Sequence, residues 1–185
     1  GVAMLRALGY QRVPAYHMNE GHSVLLALAL LYEHTEGRGL RTMTVDDIDA
    51  VRNRCIFTTH TPVPAGQDQF PLEMVRRVLG EEQAGALVAA PCCRDSTLNM
   101  TWMGMFFSRY INGVSMRHEE ISQDMFPSYH INAVTNGVHA VTWAAAPLQH
   151  LYDRHIPQWR RDNLYLRYAI AIPLEEIRQA HLQAK

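Results

Sequence analysis

The chain lacks an excess of charge of either sign: 17 Lys and Arg stand against 18 Asp and Glu, a formal charge of -1 over 185 residues. Without a net basic field, binding to nucleic acid or to an anionic lipid surface is not expected. Cysteine is scarce, with Cys92 and Cys93 adjacent in a total of 3. That excludes a disulfide framework and fits a reducing compartment, and no second CxxC completes a zinc site. Long apolar runs are missing too. The stretch "VLLALALLY" falls short of the roughly 20 residues a membrane helix needs, and no basic region precedes an apolar core at the N-terminus. A soluble, cytoplasmic protein is expected.

Several catalytic signatures are also absent. The chain has no GxSxG elbow, no GxxxxGK[ST] and no GxGxxG, so neither a serine nucleophile nor a phosphate-cradling loop is signalled. No HExxH places two histidines on one helical face. No general base stands out.

What is present is an ordinary globular composition, 48% hydrophobic and 19% charged, in a length that suits one core or one domain plus part of a second. The chain opens "GVAMLRALGY", without an initiator Met, and closes on the amphipathic pattern "EEIRQAHLQAK". Both ends lead us to expect a segment of a longer polypeptide.

Val2, Leu5 and Leu8 recur at helical spacing with Gly9 behind them, the end of a helix. "RVPAYHM" then reads as a strand, and "SVLLALALLYEHTEG" as a helix stopped by Gly37 and Gly39. "TVDDIDAVRNR" carries Thr44 and Asp47 at capping-box spacing. "CIFTTHTPVPAG" is a strand running into a Pro/Gly loop, "FPLEMVRRVLG" a helix, and "LNMTWMGMFFSRY" a helix whose methionines fill a core. "YINGVS", "MRHEEISQDMF" and "YHINAVTNGVH" continue as strand, helix and strand. Glu81 to Asn99 has no clear pattern. Alternation of this kind predicts an α/β fold with a doubly wound parallel sheet, and the Trp- and Tyr-bearing tail from Val141 reads as a separate helical part.

In such a sheet the loops at the carboxyl ends of the strands line one crevice, where ligands bind. "HMNEGH", "THTPVPAGQD" and "TNGVH" are expected to leave strands on that edge. Plainer roles exist for each. Asn19 suits a helix N-cap with Glu20 complementing the dipole, His22 a satisfied core position, His60 a bond to a neighbouring carbonyl, and Asn136-Gly137 a turn. A metal set of His17, Glu20, His22 and His60, as in a metal-dependent hydrolase, is a further alternative, although the spacing sets no common face.

Taken in order, "YHMNEGHS", "FTTHTPVPAGQDQF", "LNMTWMGMFFSRYINGVSMRHEEIS" and "AVTNGVHAVTW" resemble the α-glucan (glycogen/starch) phosphorylase family, from about Gly1 to Trp143 and more loosely beyond. That resemblance implies two Rossmann-like domains facing a cleft, the GT-B arrangement, with pyridoxal phosphate on a lysine of the second. It implies phosphorolysis of a terminal α-1,4-linked glucose to glucose 1-phosphate with retention, the cofactor's phosphate relaying the proton. Inorganic phosphate and an α-1,4-glucan would be the substrates, the rest of the phosphorylase chain a partner, and a homodimer common.

By motif, the resemblance implies that His60 lies against the reacting glucosyl unit, its ring near the 6-hydroxyl and its carbonyl near the developing oxocarbenium charge. Asn136 would hold the same hydroxyl. Asn19, Glu20 and His22 would line the adjoining pocket, with Thr61 and Asp68 on the same wall. Residues 1–136 would be the second half of the N-terminal domain, and 137–185 the crossing and helical start of the C-terminal one. Two departures stand out: Gln67 replaces the histidine of an "AGHD" pattern, and the only lysine is Lys185, with no "SGTSGMK"-like segment around it. The chain alone would therefore lack the cofactor attachment and be inactive. A non-catalytic module that binds glucan or pairs with another chain is the competing expectation.

Overall fold

In a computed structural model, which describes residues 1–35 and 38–185, the chain divides into two compact units, Gly1–Thr135 and Asn136–Lys185. Gly37, read above as part of a helix stop, lies outside the described residues.

The first unit is built on a parallel sheet. Its strands are β1 (Tyr16–Asn19), β2 (Cys55–Thr58), β6 (Tyr110–Gly113) and β7 (Asn132–Ala133), hydrogen-bonded in that order. Strand order follows chain order, so the reversal that marks double winding does not fall within these four strands. The structure thus shows an α/β unit of Rossmann-like kind. Alternation sets the faces: Tyr16 and Met18 of β1 are buried while His17 and Asn19 face outward.

Helices α1 (Val2–Ala7), α2 (Leu26–His34), α3 (Val45–Arg52), α4 (Leu72–Leu79), α5 (Glu81–Ala89), α6 (Met100–Phe106) and α7 (Met116–Met125) complete this unit. The α3 cap forms as its spacing predicts, Thr44 and Asp47 bonding each other's backbone reciprocally. Met100, Met103 and Met105 of α6 enter the core beside Phe57 and Met18. A Cβ added at Gly104 would lie 2.6 Å from Phe57 and 2.8 Å from Val24, so α6 reaches the sheet only through a glycine.

Several expectations need correction. The segment Glu81 to Asn99 resolves into α5 and a hairpin of β4 (Cys93–Arg94) and β5 (Thr97–Asn99). With β3 (Gln69–Pro71) the hairpin makes a three-stranded antiparallel sheet in the order β3-β5-β4. "YHINAVTNGVH" contributes only the two residues of β7. Helix α2 begins after a 3-10 turn, Gly21–Ser23, and that turn is capped by Glu20 rather than Asn19. The ladder explains this: Glu20 N still donates to Thr58 O at 2.8 Å, so Asn19 remains within the strand.

The second unit contains α8 (Ala140–Trp143), α9 (Ala146–His155), a 3-10 stretch Asn163–Ala171 and α10 (Leu174–Ala184). They close around Leu151, Ile156, Trp159, Ile172 and Ala180. Among the described residues no helix is long and apolar enough to cross a membrane.

Candidate functional site

Parallel pairing aligns the carboxyl ends of the first three strands. Asn19 faces Thr58 and Thr58 faces Asn112, one row across the sheet. The Thr58 hydroxyl donates to Asn112 Oδ1 at 2.9 Å, which leaves its lone pairs to accept from His17 Nε2 at 2.7 Å. His17 is therefore occupied in tying β1 to β2. The row holds the next residues of β1 and β2, Glu20 and Thr59, at the mouth of the sheet.

Glu20 organises that mouth. Its backbone adopts φ +67°, a left-handed conformation uncommon for a residue with a Cβ. Its Oε1 accepts from Gly21 N at 3.1 Å, while Oε2 accepts from His60 N at 2.6 Å and from the Thr61 hydroxyl at 3.0 Å. One carboxylate thus fastens the loop after β1 to the loop after β2.

The His60 ring lies exposed, with Nε2 2.6 Å from Asn19 Oδ1. A carbonyl oxygen can only accept, so Nε2 carries the proton. In the neutral ring Nδ1 is then an open acceptor, and the Asn19 amide N–H₂ faces outward as a donor. Asp68 lies near Gly21: its Oδ2 is 3.8 Å from where a Gly21 Cβ would be, and its backbone oxygen accepts from Met100 N at 3.0 Å.

Asn19, Glu20, His60 and Thr61 are thus joined by hydrogen bonds, with Asp68 beside Gly21. His22 is exposed on the 3-10 turn, not in the core, and has no side-chain hydrogen bond among the described residues. Gln67 accepts from Asn99 Nδ2 at 2.7 Å, so its amide braces the loop against β5. Asn136 is exposed and opens the second unit. The structure does not group His17, Glu20, His22 and His60 as a ligand set. His17 is committed to Thr58, and among the described residues no three His, Cys, Asp or Glu side chains are grouped to hold an ion.

The residue that sequence reasoning missed is His118. It sits in the first turn of α7, where Ser115 caps its backbone N–H at 3.1 Å. The side chain is buried, and the field of Glu20 and of His60 reaches it. Burial drives its pKa below the ordinary histidine value, His60 adds to that, and Glu20 opposes it.

No family model matches the chain. Whole curated proteins do. A glycogen phosphorylase of Mycobacterium tuberculosis is 38% identical over 166 residues, which take in 78% of this chain and 18% of that protein. A maltodextrin phosphorylase of Thermococcus litoralis is 35% identical over 208 residues, 100% of this chain and 24% of that protein. The homologues of this chain are glycogen and maltodextrin phosphorylases. A further glycogen phosphorylase, from Aquifex aeolicus, is 29% identical across 100% of the chain and 29% of its own length. The phosphorylase-like chain therefore spans less than a third of the relatives it matches, and the sheet edge just described falls within the phosphorylase-like part.

Proposed function

We propose that this chain is a segment of an α-1,4-glucan phosphorylase and supplies one wall of its glucosyl pocket. The observation that carries the reading is the joined set Asn19–His60 and Glu20–His60–Thr61 at the carboxyl edge of the sheet. In this reading the sheet is part of a two-domain, doubly wound GT-B enzyme of glycogen, starch or maltodextrin metabolism, cytoplasmic and dimeric as a whole. The terminal glucose would be transferred to inorganic phosphate as glucose 1-phosphate.

The chemistry of this wall is positional and electrostatic. With Nε2–H spent on Asn19, His60 offers Nδ1 as acceptor to a sugar hydroxyl, and Glu20 holds the backbone that carries the ring. Such fixed donors and acceptors bring the sugar into one orientation before reaction. In this reading the Glu20 carboxylate and the His60 carbonyl would supply negative charge and dipole to a sugar that gains positive charge. Asn136 would add a contact to the 6-hydroxyl, and His22 and Asp68 would complete the lining.

Pyridoxal phosphate does not fit the residues present. The only lysine is Lys185, exposed at the end of α10 without a glycine-rich segment. The cofactor's lysine would then belong to the part of the phosphorylase length that this chain does not cover. Two experiments test the reading. Maltooligosaccharide binding to the 185-residue chain should fall at least about tenfold in His60→Ala, the loss of oriented hydrogen bonds; unchanged affinity would sink the pocket assignment. With pyridoxal phosphate, glycogen and phosphate the chain alone should release no glucose 1-phosphate, and turnover above a blank would overturn the segment reading. The competing reading is a glucan-binding module without catalysis. An intact natural product of 21.1 kDa would select it over a product several-fold heavier.

A further inference from the structure

The His118 imidazole is 94% buried, at 6% relative exposure, and neither ring nitrogen has a hydrogen-bond partner among the described residues. Buried polar groups are almost always paired, and an unpaired one destabilises the fold. An orphan of this kind is tolerated where something other than stability keeps it.

Its location gives the reason. Asn112 and Gly113 end β6, and in the rows of the sheet Gly113 follows Asn112 as Thr59 follows Thr58 and Glu20 follows Asn19. The ring packs directly on Gly113: a Cβ there would overlap His118 Nδ1. The imidazole thus packs on the residue of β6 that shares the row of Thr59 and Glu20. The glycine that admits it is the one in "INGVS". Two other side chains, Ser108 and Ser122, are also buried without partners among the described residues, but Ser108 precedes β6, at the amino end of the sheet beside Cys55, and Ser122 lies one helical turn further along α7.

We propose that His118 is a positioning residue of the sugar pocket, left unspent so that it takes up a hydrogen bond when glucan settles against Glu20 and His60. The partner is a hydroxyl of the sugar or a water that the sugar confines. The inference rests on the pocket reading above and deepens it. A neutral imidazole supplies one donor and one acceptor, the pair a hydroxyl or water requires. A second carboxylate there would repel Glu20, and a fixed cation would compete with His60 N and the Thr61 hydroxyl for it.

The test sets binding against stability in the 185-residue chain with maltooligosaccharide as probe. His118→Leu removes an unpaired polar group from a buried position, so it should raise Tm by about 2–4 °C while weakening binding about tenfold. His118→Gln, which keeps an amide near Nε2, should recover most of the affinity. A purely structural histidine gives the opposite pattern, lower Tm and unchanged affinity, and would overturn the proposal. Should either variant fail to fold, the ring ¹⁵N resonances of the unmodified chain decide: they should move on adding maltooligosaccharide and stay still with a β-linked control. Stationary resonances overturn the proposal. His60→Ala separates the two levels. Lost binding there with intact binding in His118→Leu sinks this inference alone, whereas no glucan binding by the unmodified chain sinks both.

Discussion

The unit Gly1–Thr135 surrounds a parallel sheet with a continuous core that includes Met18, Leu31, Phe57, Leu87, Met103 and Ile131, whereas Asn136–Lys185 closes around five buried residues. The smaller unit compensates with polar clasps. Asp153 accepts from Trp159 Nε1 at 2.9 Å and from Arg160 Nε at 2.6 Å, and Glu176 accepts from His155 at 2.9 Å and Arg154 at 3.2 Å. Exposed pairs of this kind contribute little each. The comparison teaches where each unit is vulnerable: the first through the fit of its layers, the second through one side chain, Trp159.

The largest expected effect therefore comes from emptying the two cores. Phe57→Ala and Trp159→Ala should each cost about 3–5 kcal/mol. In the second unit that loss should exceed the stability a small core supplies. Limited proteolysis of Trp159→Ala should then degrade residues 136–185 and spare the first unit, while Phe57→Ala should lower its melting temperature with the fold retained. Equal proteolytic resistance of the two variants would break the comparison.

A smaller effect concerns glycine. Gly104→Ala forces a Cβ against Phe57 and Val24 and should destabilise by about 1–3 kcal/mol through overpacking. Gly137 has nothing within 4 Å of an added Cβ, so Gly137→Ala should stay within about 0.5 kcal/mol of the parent. Denaturant midpoints of the two variants measure the contrast.

The smallest effect is a pH response common to both units. The Thr44 backbone N–H and hydroxyl, with Arg38, lower the Asp47 pKa to about 2, and Arg160 with Trp159 does the same for Asp153. Both folded values lie below the ordinary 3.8, so this stability is fully present above that value and is lost as pH falls toward about 2. Asp47→Asn should flatten the acid limb of the first unit only, and Asp153→Asn that of the second, as thermal melts between pH 5 and 2 would show.

Much of the first unit was legible in its sequence. Thr44 and Asp47 announced α3, the methionine-rich run announced a packed helix, and alternating strands and helices announced an α/β sheet. The hairpin at Asp95 and Ser96 was not legible. Both residues adopt positive φ, 48° and 58°, without the Gly or Asn that normally marks such a turn. The meeting of the loops after β1 and β2 was legible, since parallel strands bring their carboxyl ends to one edge, where Asn19, Glu20, His60 and Thr61 are hydrogen-bonded. The cap at Glu20 was hidden because strand pairing, a long-range effect, extends one residue past Asn19. His118 was hidden for a similar reason: its burial involves packing on Gly113 of β6, a contact that local helical pattern does not show.

The bond from His60 N to Glu20 spans 40 residues of chain, and it forms only at the end of a completed β1–β2 ladder. Contacts so distant in sequence are made late, after the loop between them has closed. The clasp therefore dates the folding of this unit: during refolding, secondary structure should return before Glu20 closes on His60.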